Sequence, residues 1–148
     1  MSSIAAKRKL LVSDVMTTDP VTLPSGATVL EAAHLMRERN IGNVLIVDGD
    51  LLAGILTDRD IVTRAVAVGG ITDELTVGEV MTKGPVCARG DQHAFDAVTK
   101  MRSSAVSRLP VVDHGRVVGI LSIGDLAMQL EDRTTLAAVF AGQHADDE

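Results

Sequence analysis

The chain has 148 residues, enough for one ordinary domain or for two small halves sharing a core. Hydrophobic residues supply 46% of it and charged residues 23%, a globular balance that excludes wholesale disorder. The net charge is −6, the only aromatic residues are Phe95 and Phe140, and Trp and Tyr are absent. Duplex nucleic acid needs a basic face and single strands need stacking platforms, so neither is an expected partner.

The single cysteine, Cys87, excludes a disulfide framework and a Cys-based zinc site within one chain. It reads as a small buried hydrophobe in an apolar strand and fits a reducing compartment. No apolar run approaches about 18 residues, so no membrane span is expected. The basic cluster Lys7-Arg8-Lys9 has no long apolar stretch behind it and too few charges for stable lipid anchoring. A secretory signal is therefore not expected, and a cytoplasmic location is the default.

In chain order, the first elements announce a repeat. Val12-Ser13-Asp14-Val15-Met16-Thr17 returns 65 residues later as Val77-Gly78-Glu79-Val80-Met81-Thr82. Pro20-Val21 returns as Pro85-Val86, and Ala32, Met36 and Arg37 return as Ala97, Met101 and Arg102. Val47-Asp48 returns as Val112-Asp113, Gly54-Ile55-Leu56 as Gly119-Ile120-Leu121, and Asp60 as Asp125, all without a gap. The chain thus reads as two copies of one unit, 10–68 and 77–131, with a linker over 69–76. Residues 132–148 form a C-terminal extension with helical potential and an acidic tail.

Each unit reads as strand, helix, strand, strand, helix. Val21-Thr22-Leu23 and Val86-Cys87-Ala88 are short strands after a proline turn. Thr28 and Glu31 have the spacing of a capping box, and Val29, Ala32, Ala33 and Met36 fall on one face of the helix that follows. Ala94, Ala97, Val98 and Met101 repeat that face, with His93 at the N-cap. Val44–Val47 and Leu109–Val112 are apolar strands, Asp48-Gly49-Asp50 and Asp113-His114-Gly115 are hairpin turns, and Leu51–Leu56 and Val117–Leu121 return. A second helix starts after Thr57 and after Ser122, and Gly69-Gly70 ends the first of these. The fold class is α/β (α+β). A unit of this size is marginal alone, so the two pack through their sheets about a pseudo-twofold axis and leave two equivalent clefts between them.

The strand-to-helix junctions carry the chemistry. Asp60 and Asp125 each stand three residues after a hydroxyl, Thr57 or Ser122. A carboxylate can accept hydrogen bonds from both hydroxyls of a ribose. A helix start offers backbone N–H groups and a positive dipole end to a phosphate. The same residues also serve as N-caps followed by favourable first-turn acids, and the residues alone leave both readings open. Between hydroxyl and carboxylate the copies differ: Asp58-Arg59 is charged, Ile123-Gly124 is not. Asp58 would repel a nearby phosphate, Arg59 could reach one, and Gly124 would let a ligand approach the backbone. Other patterns are poorer. His34, His93, His114 and His144 lack metal-ligand spacing, and no nucleophile stands beside a base, so neither a metal site nor an enzyme is expected. Met16, Met36, Met81 and Met101 read as core at the repeat interface.

The run Asp-Val-Met-Thr, a Pro-Val strand, then Gly54-Ile55-Leu56-Thr57-Asp58-Arg59-Asp60, with Gly119-Ile120-Leu121-Ser122-Ile123-Gly124-Asp125 in register, resembles a tandem pair of CBS domains, a Bateman module. The resemblance covers about 10–131. It implies a regulatory module that binds adenosine compounds (AMP, ADP or ATP, and also NAD(H) or S-adenosylmethionine) between the copies, with no cofactor required. It also implies a homodimer of the free-standing kind that regulates a partner protein the sequence does not name. Within that resemblance Arg108 faces the ligand phosphates, where the first copy has Asn43, and Thr18, Pro20, Val21, Pro85 and Val86 border the base. Pro110, opposite Leu45 of the first copy, departs from the pattern of that copy. The C-terminal apolar residues Leu126, Leu130, Leu136, Val139 and Phe140 would cover a dimer seam. With no aromatic to stack on adenine, affinity should be micromolar. The competing expectation is a dimeric interaction module that binds no ligand.

Overall fold

A computed structural model of the protein describes residues 10–129. Two apolar clusters form its core, one for each copy. Helix α2 (Val29–Arg39) starts at the predicted capping box: Thr28 N donates to Glu31 Oε2 at 2.9 Å and Glu31 N to Thr28 Oγ1 at 3.1 Å. It buries Val29, Ala32 and Met36 against strands β2 (Asn43–Asp48) and β3 (Leu51–Thr57). The second copy repeats this with α5 (Ala94–Ser103), β5 (Arg108–Asp113) and β6 (Arg116–Ser122). Both hairpins turn in two residues. His114 and Gly115 take φ of 52° and 80°, the left-handed pair such a turn needs. The helices after the junctions are α3 (Asp58–Ile61), continued by a π-helical stretch over Val62–Val66, and α6 (Ile123–Gln129).

The sheets are one. The order is β1 (Thr22–Leu23), β2, β3, β6, β5, with β3 and β6 paired at Leu51 and Arg116 where the two hairpin turns meet. Along β2, Val44 and Ile46 face the first cluster, while Leu45 is fully buried yet belongs to neither cluster. Its counterpart Pro110 is equally buried. These two residues occupy the face between the copies.

Two short helices absent from the sequence reading, α1 (Val12–Val15) and α4 (Val77–Val80), are exchanged between the copies. Val12 and Val15 pack in the cluster of the second copy, and Val77 and Val80 in that of the first. Val12 N donates to Gln92 O at 2.8 Å and Val77 N to Ala27 O at 2.7 Å. The segment after each helix then crosses the other copy's hairpin. Thr17 bridges Ile120, and strand β4 (Thr82–Lys83) pairs with Gly54 and Ile55. Glycine makes the crossing possible. A Cβ on Gly119 would lie 2.8 Å from both Met16 Sδ and Thr17 O, and one on Gly54 would lie 2.6 Å from both Met81 Sδ and Thr82 O. Met16 and Met81 thus do sit at the repeat interface, whereas Met36 and Met101 belong one to each cluster.

The first predicted strand survives as β1 (Thr22–Leu23), parallel to β2. Its counterpart at Val86–Ala88 does not; only Ala88 bridges Val111. Proline is the reason. In the first copy Leu45 N donates to Val21 O at 3.1 Å, and Pro110 in the same place has no N–H to give. Most of the predicted C-terminal seam, from Leu130 to Phe140, lies outside the described residues. So do Lys7-Arg8-Lys9 and the acidic tail. Leu126 is buried in the second cluster.

Gly119→Ala should destabilise by about 1–3 kcal/mol, because a carbonyl as well as a sulfur must move. Thermal unfolding should fall by roughly 3–10 °C. Gly26→Ala, where a Cβ would meet nothing within 4 Å, should leave it unchanged. A second check is on pH. Asp48 Oδ1 accepts from Ser25 N at 2.9 Å, and this bond holds the Asp48 carboxyl below its ordinary value. Its stabilising effect should therefore be full above the unfolded pKa of about 3.9 and vanish as pH falls through the lower folded value. An NMR titration of the Asp48 side-chain carbon reads it directly.

Two composite clefts between the repeats

Each cleft takes one wall from each copy, because the crossing segments carry the Pro-Val pair of one copy to the junction of the other. The first cleft, of about 360 Å³, brings Thr17, Asp19, Pro20, Val21 and Asn43 of the first copy to Arg108, Ile120, Ser122 and Asp125 of the second. The second, of about 480 Å³, brings Ile55, Thr57, Asp58, Arg59 and Asp60 to Thr82, Gly84, Pro85, Val86, Arg108 and Pro110. Most of the first lining recurs in the second at the repeat offset, so Thr17 becomes Thr82, Ser122 answers to Thr57 and Asp125 to Asp60. The apolar surfaces are also paired: Leu45 and Ile120 in one, Pro110 and Ile55 in the other.

Most of the predicted residues meet in these clefts. Thr18 and Gly124 line neither. The sequence reading missed Thr17 as a cleft residue, although it matches Thr82 at the repeat offset. It also missed Asp19. Arg108 lines both clefts, and among the described residues nothing pairs with it. Its exposed guanidinium is free to hold an anion.

The two carboxylates differ in what they already hold. Asp60 is buried, and one of its oxygens accepts from Thr57 N at 3.0 Å while Asp60 N donates to Thr57 Oγ1 at 3.1 Å. Its other oxygen lies 4.0 Å from Arg64 Nε. Asp125 is less enclosed. It accepts from Thr17 Oγ1 at 3.0 Å, and its N–H donates to Ser122 Oγ at 2.9 Å. Asp125 therefore keeps acceptor capacity that Asp60 has committed.

The junction of the second cleft does not offer the free N–H groups expected of it. Thr57 N and Asp60 N are closed in the capping box, Arg59 N donates to Asp58 Oδ1 at 2.8 Å, and Asp58 N donates to Gly42 O at 2.9 Å. The long-range bond to Gly42 could not be read from local sequence. A phosphate here must rely on the side chains of Arg59 and Arg108. Arg64 is occupied elsewhere. Its Nη1 donates to Val80 O at 3.2 Å and Met81 O at 3.1 Å, closing the end of the exchanged helix α4.

Two ungapped copies, exchanged helices and paired clefts find their match in one family. The CBS domain family matches residues 12–67 and 77–132. This chain belongs to the CBS domain family. It is 39% identical over 117 residues to the CBS domain-containing protein YhcV of Bacillus subtilis, covering 79% of this chain and 83% of that one. It also spans 20% of the length of a longer CBS domain-containing protein of Arabidopsis thaliana, at 36% identity. Among solved structures, the CBS domain pair of MJ0100 in complex with 5′-methylthioadenosine and S-adenosyl-L-methionine is similar, with a TM-score of 0.72 and 33% identity over 83% of this chain and 97% of that one. CBSX2 in complex with AMP is similar too, with a TM-score of 0.72 and 25% identity over 82% of this chain and 98% of that one. Among the described residues no helix is long and apolar enough to cross a membrane.

Beside the second CBS repeat's Pro85-Val86 stands Cys87, half-buried rather than buried, its Sγ donating to Pro85 O at 3.2 Å. Burial pushes its thiol pKa up against the opposing charge of Lys100. Alkylation by iodoacetamide at pH 8 should run slower than for a free cysteine, and unfolding should abolish the difference. Arg64→Ala should lower stability by about 1 kcal/mol, since the side chain is half-exposed and its bonds are partly replaced by water. Thermal unfolding, lower by roughly 2–4 °C, measures that.

Proposed function

We propose that the protein is a regulatory module that binds adenosine-containing ligands in its two composite clefts. The observation that carries the reading is that Asp125 and Ser122 of one copy line one cleft together with Pro20 and Val21 of the other, and Arg108 joins them there. A carboxylate with spare acceptor capacity suits a ribose, the Leu45 and Ile120 surface suits a flat base, and the guanidinium of Arg108, which also lines the second cleft, suits the phosphate of a ligand held there. The complexes of the similar CBS pairs with AMP and with S-adenosyl-L-methionine support this ligand class.

Within this reading Asp125, Ser122, Asn43, Pro20 and Val21 contact ligand in the first cleft. Thr57, Asp58, Arg59, Asp60, Pro85 and Val86 do so in the second, with Arg108 available to either. Ligand bridges two walls that belong to different copies, so it biases their relative packing. The protein acts in the cytoplasm as a homodimer, and a partner protein reads the packing difference. A module that dimerises without any ligand is the second reading. It draws on Val62 and Val66, one turn apart and 58% and 59% exposed on the outer helix.

The test is a thermal-shift panel with AMP, ADP, ATP, NAD, NADH and S-adenosylmethionine. Ligand at about 100 times its dissociation constant should stabilise by about 2.7 kcal/mol, or roughly 5–10 °C. Asp125→Ala should remove the shift from its cleft, while Asp60→Ala should also lower the unliganded melting temperature because a capping box is lost. No shift with any compound would favour the ligand-free interaction module.

A further inference from the structure

The two clefts differ most sharply at one backbone position. Asp19 and Gly84 occupy equivalent places on their rims, with φ of 52° and 56°. Glycine adopts that left-handed conformation freely, whereas an aspartate tolerates it at some cost. The first copy nonetheless places a carboxylate there. Asp19 is exposed, and among the described residues no donor engages it. With Asp125 it gives the first cleft two carboxylates against the single guanidinium of Arg108.

The second cleft is balanced. Gly84 brings no charge, and Arg59 and Arg108 stand against Asp58 and Asp60. Asp58 is turned onto its own helix start, accepting from Arg59 N at 2.8 Å. Asp60 is held by Thr57 N and faces Arg64. An incoming phosphate therefore meets a net negative lining in the first cleft and a balanced one in the second.

We propose that the clefts sort adenosine compounds by charge, with Asp19 as the discriminating residue. The first cleft takes neutral or cationic members, such as adenosine or a sulfonium, and the second takes phosphorylated ones. This rests on the adenosine-binding reading above and specifies it.

Two isoleucines give a separate reporter for each cleft, since Ile120 lines the first and Ile55 the second. Full-length protein with labelled isoleucine methyls is titrated with adenosine, S-adenosylmethionine and AMP. AMP should move Ile55 at concentrations that leave Ile120 still, and S-adenosylmethionine should move Ile120 first. Asp19→Asn keeps the shape and the tolerance of positive φ while removing the charge. It should raise AMP affinity at Ile120 about tenfold in low salt. The gain should shrink at high salt, because an exposed charge is screened once the Debye length falls to a few ångströms. Gly84→Asp should weaken AMP at Ile55. If AMP reaches both reporters equally, or Asp19→Asn changes nothing, charge sorting is wrong while adenosine binding stands. If no compound moves either reporter, both readings fall.

Discussion

Everything in this fold depends on two places where a side chain is missing. Gly54 and Gly119 lie on the central strands, and the space a Cβ would fill is taken by Met81 and Met16 together with the carbonyls of Thr82 and Thr17. Without that close approach the crossing segments could not pair with the opposite hairpin. The exchanged helices would then have no route to the cores that need Val77 and Val80, or Val12 and Val15. The clefts would also lose one wall each, because the same segments deliver Pro20-Val21 and Pro85-Val86 to the facing junction.

The composite build explains why two copies of one unit make unlike sites. Each cleft mixes residues from both copies, so a difference confined to one copy alters both clefts in different ways. Pro110 removes a strand bond beside the second cleft, and Arg108, without a charged counterpart at Asn43, lines both. The capping box at Thr57 shows the same economy: residues that can meet a ligand also close the helix start. At Asp60 the structural role has taken most of the carboxylate, and at Asp125 it has taken less.

Much of this was legible in the sequence. The repeat offset marked out the two units, and Thr28 with Glu31 marked a helix start. The hairpin turns were visible as Asp-Gly-Asp and Asp-His-Gly. The pair of junction carboxylates pointed to the clefts. The exchange was not legible, because Val12 and Val15 match Val77 and Val80; identical apolar residues cannot say which copy's core they fill. The bond from Asp58 N to Gly42 O, which closes the junction, joins residues that local spacing does not connect. The strand expected at Val86–Ala88 fails because Pro110 lacks a donor. That proline is plain in the sequence, but its pairing with the short strand emerges only from the parallel register of the folded chain.

The exchange also ties the two cores to distant parts of the chain. A chain made from its N-terminus presents Val12 and Val15 first, yet the cluster that receives them includes Leu109, Val111, Leu121 and Leu126. The first copy cannot finish its own core before Val80 has appeared. Its opening helix must then wait, apolar face uncovered, until nearly all of the described chain exists. Thr17 and Asp125, joined by a hydrogen bond, are separated by 108 positions. Contacts of that reach carry a large loop-closure cost and slow folding. The contact that completes the first cleft is thus among the costliest in the fold to close.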